Sequence, residues 1–151
     1  MCSSDLAPAR RRVEQVLTAA TAALAVGCAE RGLRMTVEHC RTRVQFGRPI
    51  GSFQALKHRM ADMLVQVEMA RSASWAASFA LAAGGPDAEQ AGHVALAYAI
   101  EAAAHVAAET VQLHGGIAIT WEHDAQLVFK RAHALGQLAG TAREHRAAVV
   151  L

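Results

Sequence analysis

Apolar residues recur every three or four positions along most of the chain, which is the spacing of one face of an α-helix. The first such run, from about 8 to 43, has no proline after its first residue and predicts one long helix. It ends at segment 46–51, where two glycines and a proline within five positions stop a helix. A second stripe begins at Phe53 and predicts a helix to about Ala83, with Ser52 as its N-cap.

A Gly-Gly-Pro-Asp turn follows the second helix, and Asp87 and Gln90 are placed to cap a third helix reciprocally. The third helix ends at about His114, before a glycine pair. Two shorter helices are predicted at 121–137 and 141–150. Long helices joined by short turns pack antiparallel. The sequence therefore predicts an all-α, four-helix-bundle-like domain of three long helices plus shorter C-terminal helices.

The composition agrees with helices, since the chain is 53% hydrophobic, contains three prolines and is only 5% aromatic. Its 151 residues suit one domain. We expect this domain to span 8–151. The opening letters Met-Cys-Ser-Ser-Asp-Leu resemble translated vector sequence, so 1–7 is interpreted as a non-native or disordered leader.

The distribution of charge bears on the kind of ligand, and the cysteines bear on the cellular compartment. The net charge is +2, but residues 1–75 carry 11 basic and 6 acidic side chains. These basic residues are spread along helices and aromatics are few, which favours a discrete phosphate ligand over nucleic acid. Three cysteines without a CxxC spacing predict neither a disulfide framework nor a zinc site, and indicate a reducing, cytoplasmic compartment. Charged residues interrupt the apolar runs, so no membrane span is expected.

Metal and hydrolase sites are not favoured. The Glu-x-x-His spacing of di-iron bundles is absent from the sequence, and the pairs Glu89/His93 and Glu101/His105 have the spacing of ordinary helix contacts. Glu122, His123 and Asp124 are adjacent in the sequence. Adjacent side chains on a helix diverge by about 100°, so these three cannot converge on one ion. No Gly-x-Ser-x-Gly elbow occurs. No metal ligand is therefore assigned.

Two segments between helices have the chemistry to hold a pyrophosphate. Segment 43–54 contains an arginine, glutamines and glycines, and segment 112–116 ends a helix with a glutamine and two glycines. Glycine lets backbone N–H groups approach phosphate oxygens, and arginine supplies a fixed cationic fork. Each segment alone also fits a simple helix end.

Together the two segments resemble a specific family. Segment 43–54 is similar to the R-x-x-F-G-x-x-I-x-x-F-Q signature of acyl-CoA dehydrogenases, and segment 112–116 to their Q-x-x-G-G signature. Segment 57–63 resembles the family's K-x-x-L-A-D-M segment. The resemblance covers about 10–150, which is essentially the helical C-terminal domain of that family.

The resemblance implies a flavoprotein that removes the α-proton and β-hydride of an acyl-CoA thioester, with FAD as hydride acceptor. It also implies FAD contacts across the interface of a homo- or hetero-oligomer. The matching positions are Arg43, Gln45, Phe46 and Gln54 in the first segment and Gln112, Leu113, Gly115 and Gly116 in the second. Phe46 and Leu113 also fit a purely structural role in the core.

The catalytic base of the family is not recognised here. Many members carry it as Glu in a Y-E-G-T segment, where this chain reads Leu-Ala-Gly-Thr, so Ala139 or Gly140 occupies that position. Others carry it on the first helix, where Leu17 corresponds. Glu14 and Glu144 lie nearby, but both are expected on solvated helix faces.

Three interpretations remain open. The chain is expected to be the C-terminal part of an acyl-CoA dehydrogenase family protein, which is either a base-free subunit resembling the actinobacterial sterol-side-chain enzymes or a protein with a different or lost activity on the same scaffold. A stand-alone helical interaction module is the alternative from another class. The family's N-terminal and β-rich domains have no counterpart in this sequence, so the isolated chain is expected to be inactive.

Overall fold

A computed structural model describes residues 6–149 and shows five helices there, with one very short hairpin. The helices are α1 Leu6–Thr42, α2 Gln54–Ala83, α3 Ala88–His114, α4 Ala125–Leu138 and α5 Ala142–Ala148. The strands are β1 Val44–Gln45 and β2 Arg48–Pro49, and short 3₁₀ turns occupy Ile50–Ser52 and Gly115–Ile119. The predicted all-α class is confirmed.

The helical part begins earlier than predicted. Residues 6 and 7 of the predicted leader belong to α1, and residues 1–5 lie outside the described residues. The predicted end of the last helix at 150 also lies outside them.

Helix α3 is the centre of the domain, because it packs against each of the other four helices. The three long helices run antiparallel in sequence order. The C-terminus of α1, the N-terminus of α2 and the C-terminus of α3 therefore lie at one end of the bundle, which we call the loop end. Both segments selected from the sequence lie at this end.

The core is built mainly from alanine, with a few larger side chains filling the remaining space. The largest fully buried hydrophobic side chains are Met63, Leu96, Val67 and Val106. Small residues let helix backbones approach closely, and at Gly32 of α1 an added Cβ would lie only 2.9 Å from the Thr110 hydroxyl. Gly32 is thus required by packing where α1 crosses α3.

A buried hydroxyl pair marks the same crossing. Thr36 of α1 donates to Thr110 of α3 at 3.1 Å, and neither residue has measurable exposure. The Thr110 hydroxyl donates to the Val106 carbonyl four residues earlier, and the single Thr36 hydrogen is shared between Thr110 and the Gly32 carbonyl at 2.8 Å. Buried polar groups that are paired in this way avoid a penalty of about 1–3 kcal/mol each.

Two of the predicted helix caps are wrong. Ser52 belongs to the 3₁₀ turn, where its hydroxyl donates to the Pro49 carbonyl, and Phe53 is the N-cap of α2. Asp87 is the N-cap of α3, but its helical backbone conformation gives no side-chain capping bond. The reciprocal capping box instead occurs at α5, between Thr141 and Glu144.

Helix α4 begins four residues later than predicted, at Ala125 rather than position 121. The residues before it form a turn in which the Thr120 hydroxyl donates to the Ile117 carbonyl, and the ring of His123 accepts from the backbone N–H of Ala125. These side-chain bonds compete with helix formation.

By length and composition alone, two helical stretches are long and apolar enough to cross a membrane, Leu6–Thr42 and Ala88–Ile119. Their apolar windows are 44% and 56% buried inside the bundle. Core helices of a bundle pass the same test, so the absence of a membrane span stays a prediction.

Candidate functional site

The first segment folds into a tight hairpin at the loop end. Val44 pairs with Pro49 and Gln45 with Arg48, and the two residues between them, Phe46 and Gly47, have φ of 53° and 76°. Positive φ at both central positions is the requirement of a type I′ turn, which Gly meets at no cost and Phe does not. Phe46 therefore adopts a backbone conformation that phenylalanine disfavours.

The base of this hairpin is closed onto α1. The N–H of Ile50 donates to the Arg43 carbonyl at 2.8 Å. An added Cβ at Gly51 would lie 2.8 Å from the Cys40 carbonyl oxygen, so only glycine permits this approach. The position of Arg43 is consequently fixed by backbone contacts.

Two of the predicted side chains in this segment face solvent. Arg43 is exposed, and its guanidinium makes no ion pair or hydrogen bond with any of residues 6–149. Phe46 is 92% exposed and meets Phe53 edge-on at 6.1 Å between ring centroids. Phe46 is therefore not a core residue of this chain.

The two glutamines of the segment are exposed and make only local contacts. The amide of Gln45 donates to the Val44 carbonyl at 2.9 Å. Gln54 is the first residue of α2, and its amide nitrogen lies 2.7 Å from Nε2 of His58. Both side chains can exchange these surface bonds for bonds to a ligand.

The second segment ends α3. Gln112 is exposed, whereas Leu113 is 8% exposed and belongs to the hydrophobic core, so its structural role is confirmed. Gly115 has φ 65° and ψ −146°, a conformation that favours glycine. No heavy atom lies within 4 Å of an added Cβ at Gly115 or Gly116, so this backbone faces open space.

Three histidines join the two segments, and the sequence did not single them out for this. His39 in the last turn of α1 stacks on His114 at 4.4 Å between centroids, and His114 contacts His123 at 4.6 Å. His114 lies inside the Gln112–Gly116 segment, and His39 accepts the N–H of Arg43 at its carbonyl. We call these three rings the histidine stack.

Two rings of the histidine stack, His39 and His114, have a pKa lowered from the ordinary value, which favours their neutral form. Burial lowers the pKa of His114, which outweighs the opposite effect of the Thr110 carbonyl facing Nδ1 at 2.7 Å. Burial also lowers the pKa of His39, assisted by His114, His123 and the Arg43 guanidinium. Stacked neutral rings thus support both predicted segments near neutral pH.

A cleft of about 590 Å³ opens beside the histidine stack. Its charged lining is mixed in sign, comprising Arg31, Arg34, Glu38, Glu122 and Asp124. Arg31 pairs with Asp124 at 3.1 Å across the cleft wall, linking α1 to the turn before α4. Because positive and negative side chains are mixed along its walls, the charge of the cleft does not select one class of ligand.

The positions at which the family carries its base lie elsewhere on the domain. Ala139 ends α4, and Gly140 follows with φ 104°. Leu17 lies on α1 and is 42% exposed. None of these side chains accepts a proton.

The two nearby carboxylates have other partners. Glu14 pairs with Arg10 at 2.8 Å on the surface of α1. Glu144 accepts from the Thr141 N–H at 2.7 Å and from its hydroxyl at 2.9 Å, and these bonds lower the pKa of Glu144. A lowered pKa weakens a general base.

Proteins of known family resemble this chain in sequence. The family model described as "Acyl-CoA dehydrogenase, C-terminal domain" matches residues 15–150. The chain belongs to the acyl-CoA dehydrogenase family. Acyl-CoA dehydrogenase IpdE2 of Mycobacterium tuberculosis is 56% identical over 123 residues, which are 82% of this chain.

Several solved structures share the fold of this domain. The ChsE4–ChsE5 complex from Mycobacterium tuberculosis is 34% identical with a TM-score of 0.86, over 90% of this chain and 37% of that chain. PigA with FAD and proline is 26% identical with a TM-score of 0.85, over 90% and 35% respectively. The chain also spans 37% of the length of IpdE2, so it corresponds to about a third of such proteins.

Proposed function

We propose that this chain is the flavin-contacting C-terminal domain of an acyl-CoA dehydrogenase subunit that supplies no catalytic base. The observation that carries the proposal is that both segments lie at the loop end and are linked by His39, whose ring stacks on His114 and whose carbonyl accepts from the Arg43 N–H. There the Arg43 guanidinium makes no ion pair or hydrogen bond with any of residues 6–149, and the glycine backbone at 115–116 faces open space.

The donor set fits the phosphate and adenosine portion of FAD. Arg43 supplies a cation for the pyrophosphate, while Gln45, Gln54 and Gln112 supply amides that both donate and accept. Backbone at Gly115 and Gly116 can approach a ligand closely because no side chain intervenes. The exposed phenyl of Phe46 offers an apolar surface for the cofactor.

FAD, when bound, supplies the acceptor for the β-hydride of an acyl-CoA thioester. The chain's own residues at the loop end would bind and orient the cofactor. The reaction also needs a carboxylate that takes the proton from the α-carbon of the substrate. Ala139, Gly140 and Leu17 cannot receive that proton. A related subunit carrying the base is therefore the proposed partner, and the family's occurrence as the ChsE4–ChsE5 complex supports this arrangement.

The full site needs the remainder of a subunit, since the chain corresponds to about a third of its relatives. We therefore expect the isolated chain to bind FAD weakly or not at all, and to be inactive by itself. A cytoplasmic location is part of the same proposal. The rival, a helical module without flavin, predicts no flavin in any longer form.

Flavin binding tests the proposal directly. The longer parent protein, purified with added FAD, is expected to retain flavin absorbance through gel filtration. Arg43→Gln is expected to reduce this retention, and Arg41→Gln, an exposed arginine two residues earlier, is the matched control. No flavin on the parent would contradict the proposal.

The missing base is tested by dye reduction with acyl-CoA substrates. We expect no turnover by the parent alone and turnover after co-expression with a base-containing subunit. Replacing that subunit's Glu should lower the rate by at least 10²–10⁴-fold, the usual effect of losing a general base. Robust turnover by the parent alone would contradict the proposal, because the parent would then hold a base of its own.

A further inference from the structure

Two histidines that are 52 positions apart in the chain meet beside segment 139–141. Nδ1 of His93 on α3 lies 2.7 Å from Nδ1 of His145 on α5, with ring centroids 5.0 Å apart. On its other side, Nε2 of His145 lies 2.8 Å from the Ala139 carbonyl oxygen. His145 is buried at 7% exposure.

These contacts fix the positions of the protons. A carbonyl only accepts, so Nε2 of His145 carries a proton and donates to Ala139. In a neutral imidazole the other nitrogen is then bare. Nδ1 of His145 must accept from an Nδ1–H of His93. The result is a directed chain of two hydrogen bonds from α3 to the backbone at Ala139.

Two side chains of α5 hold segment 139–141, since Glu144 accepts from the Thr141 N–H at 2.7 Å and His145 donates to the Ala139 carbonyl at 2.8 Å. Gly140 has φ 104°, and an added Cβ there would lie 3.0 Å from Nε2 of His145 and 3.4 Å from Glu144. The imidazole fills the space that a side chain at position 140 would need. Ring and glycine therefore form one packed unit at the end of α4.

We propose that His145, oriented by His93, is a positioning residue that fixes segment 139–141, and that protonation of both imidazoles breaks the bond by which His93 orients His145. The inference rests on the proposed function, because the segment matches the place where family members hold their base. One added proton is tolerated, since a cationic His145 can donate from Nδ1 to a bare Nδ1 of His93. When both imidazoles have gained a proton, the Nδ1–H of His93 faces the Nδ1–H of His145, and no hydrogen bond can join them.

The surrounding charges set the direction of the effect. Burial lowers the pKa of His93, the neighbouring His145 acts in the same direction, and Glu89 on α3 opposes both. From α1, Arg11 and Glu14 line the same small cleft as His93.

On α5, two further charged groups matter. Glu144 lies beside the ring of His145 at the Gly140 position. Arg146 pairs with Glu101 of α3 at 2.6 Å, which keeps α5 on α3 when the imidazole bond breaks.

The hydrogen-bond chain is tested first on the 151-residue chain with ¹⁵N-labelled histidine, using long-range imidazole spectra. At pH 7.5 we expect the Nε2–H form for His145 and the Nδ1–H form for His93, with exposed His105 on the same helix as internal reference. The backbone amide signals of residues 139–141 should move with the second protonation of the pair. An Nε2–H form for His93 would overturn the proposal without any variant.

The functional part is tested on the flavin-loaded parent with its base-containing partner. We expect kcat/KM to fall on the acid side with a one-proton slope, because the singly protonated pair keeps its bond and only the second protonation breaks it. His145→Gln keeps an N–H donor that does not titrate, so this acid limb should disappear while activity at pH 7.5 is retained. His105→Gln is the control and should leave the limb unchanged.

The two kinds of failure are separable. An acid limb that persists in His145→Gln would overturn the proposal. If the parent shows no flavin turnover with any partner, the proposed function fails, while the imidazole spectra still decide whether the positioning bonds exist.

Discussion

Glu144 is the residue at which capping and catalysis make opposite predictions. It completes the capping box of α5 with Thr141, and Gln fills the same position in a capping box as well as Glu. Glu144→Gln should therefore keep thermal stability and, in the parent with its partner, keep dye-reduction activity. Thr141→Ala, which removes the cap, should lower the free energy of unfolding by about 1 kcal/mol. Loss of activity in Glu144→Gln with stability unchanged would identify Glu144 as a displaced base.

The histidine stack makes folding sensitive to mild acid. His39 and His114 both have a pKa lowered from the ordinary value of 6.5, so the unfolded chain binds more protons than the folded one. Stability is then complete above pH 6.5 and is lost as pH falls through the lowered pKa values. His39→Phe keeps a flat ring on His114 without the titration, and should flatten this dependence in urea unfolding measured from pH 7.5 to 5. The control His105→Gln should leave the pH dependence of stability unchanged. If His39→Phe shows the same pH dependence as the unaltered chain, His39 does not have this role.

At the scale of elements, the crossing of α1 and α3 depends on one glycine. Gly32→Ala places a methyl 2.9 Å from Thr110 and 3.2 Å from Val106, which should cost about 1–3 kcal/mol of unfolding free energy. Gly27, five residues earlier on the same helix, has open space at its Cβ position. Gly27→Ala should stabilise the helix by up to about 1 kcal/mol. Equal effects of the two substitutions in thermal unfolding would show that the crossing is looser than described.

Helix identity and order were predictable because glycine and proline interrupt the helical pattern at the connections. The errors lie where side chains compete with the backbone. Ser52 bonds back to Pro49, and His123 bonds forward to Ala125, so α2 and α4 start later than periodicity predicts. The hairpin turn at Phe46 was not predicted, because a phenylalanine at positive φ opposes the usual residue preference.

At the scale of the whole molecule, the sequence located both loop-end segments but not what joins them. The signatures are local runs of letters, whereas His39 meets His114, and His93 meets His145, across long stretches of chain. Such pairs depend on the packing of helices and have no periodic signal. The assignment of Arg43 and its companions to FAD stays a prediction.

The domain leaves large apolar side chains on its outer surface. Trp75 and Phe79, one turn apart on α2, are 73% and 78% exposed. We therefore expect the isolated chain to self-associate, which light scattering over a range of concentrations will reveal. Trp75→Gln with Phe79→Gln should reduce this association, whereas Ala108→Gln on α3 should not. A monomer at high concentration would contradict the expectation.

The close approach of Gly51 to Cys40 has a consequence for the kinetics of ligand exchange. Because backbone contacts of its own hold the chain around Arg43, a bound anion incurs little of the entropic cost of ordering it. Such preorganisation acts mainly on residence time. Gly51→Ala, which forces the loop away from the Cys40 carbonyl, should speed flavin dissociation from the loaded parent in stopped-flow fluorescence while changing association little. The residence time of the cofactor would then depend on a contact between two backbone segments at the base of the hairpin.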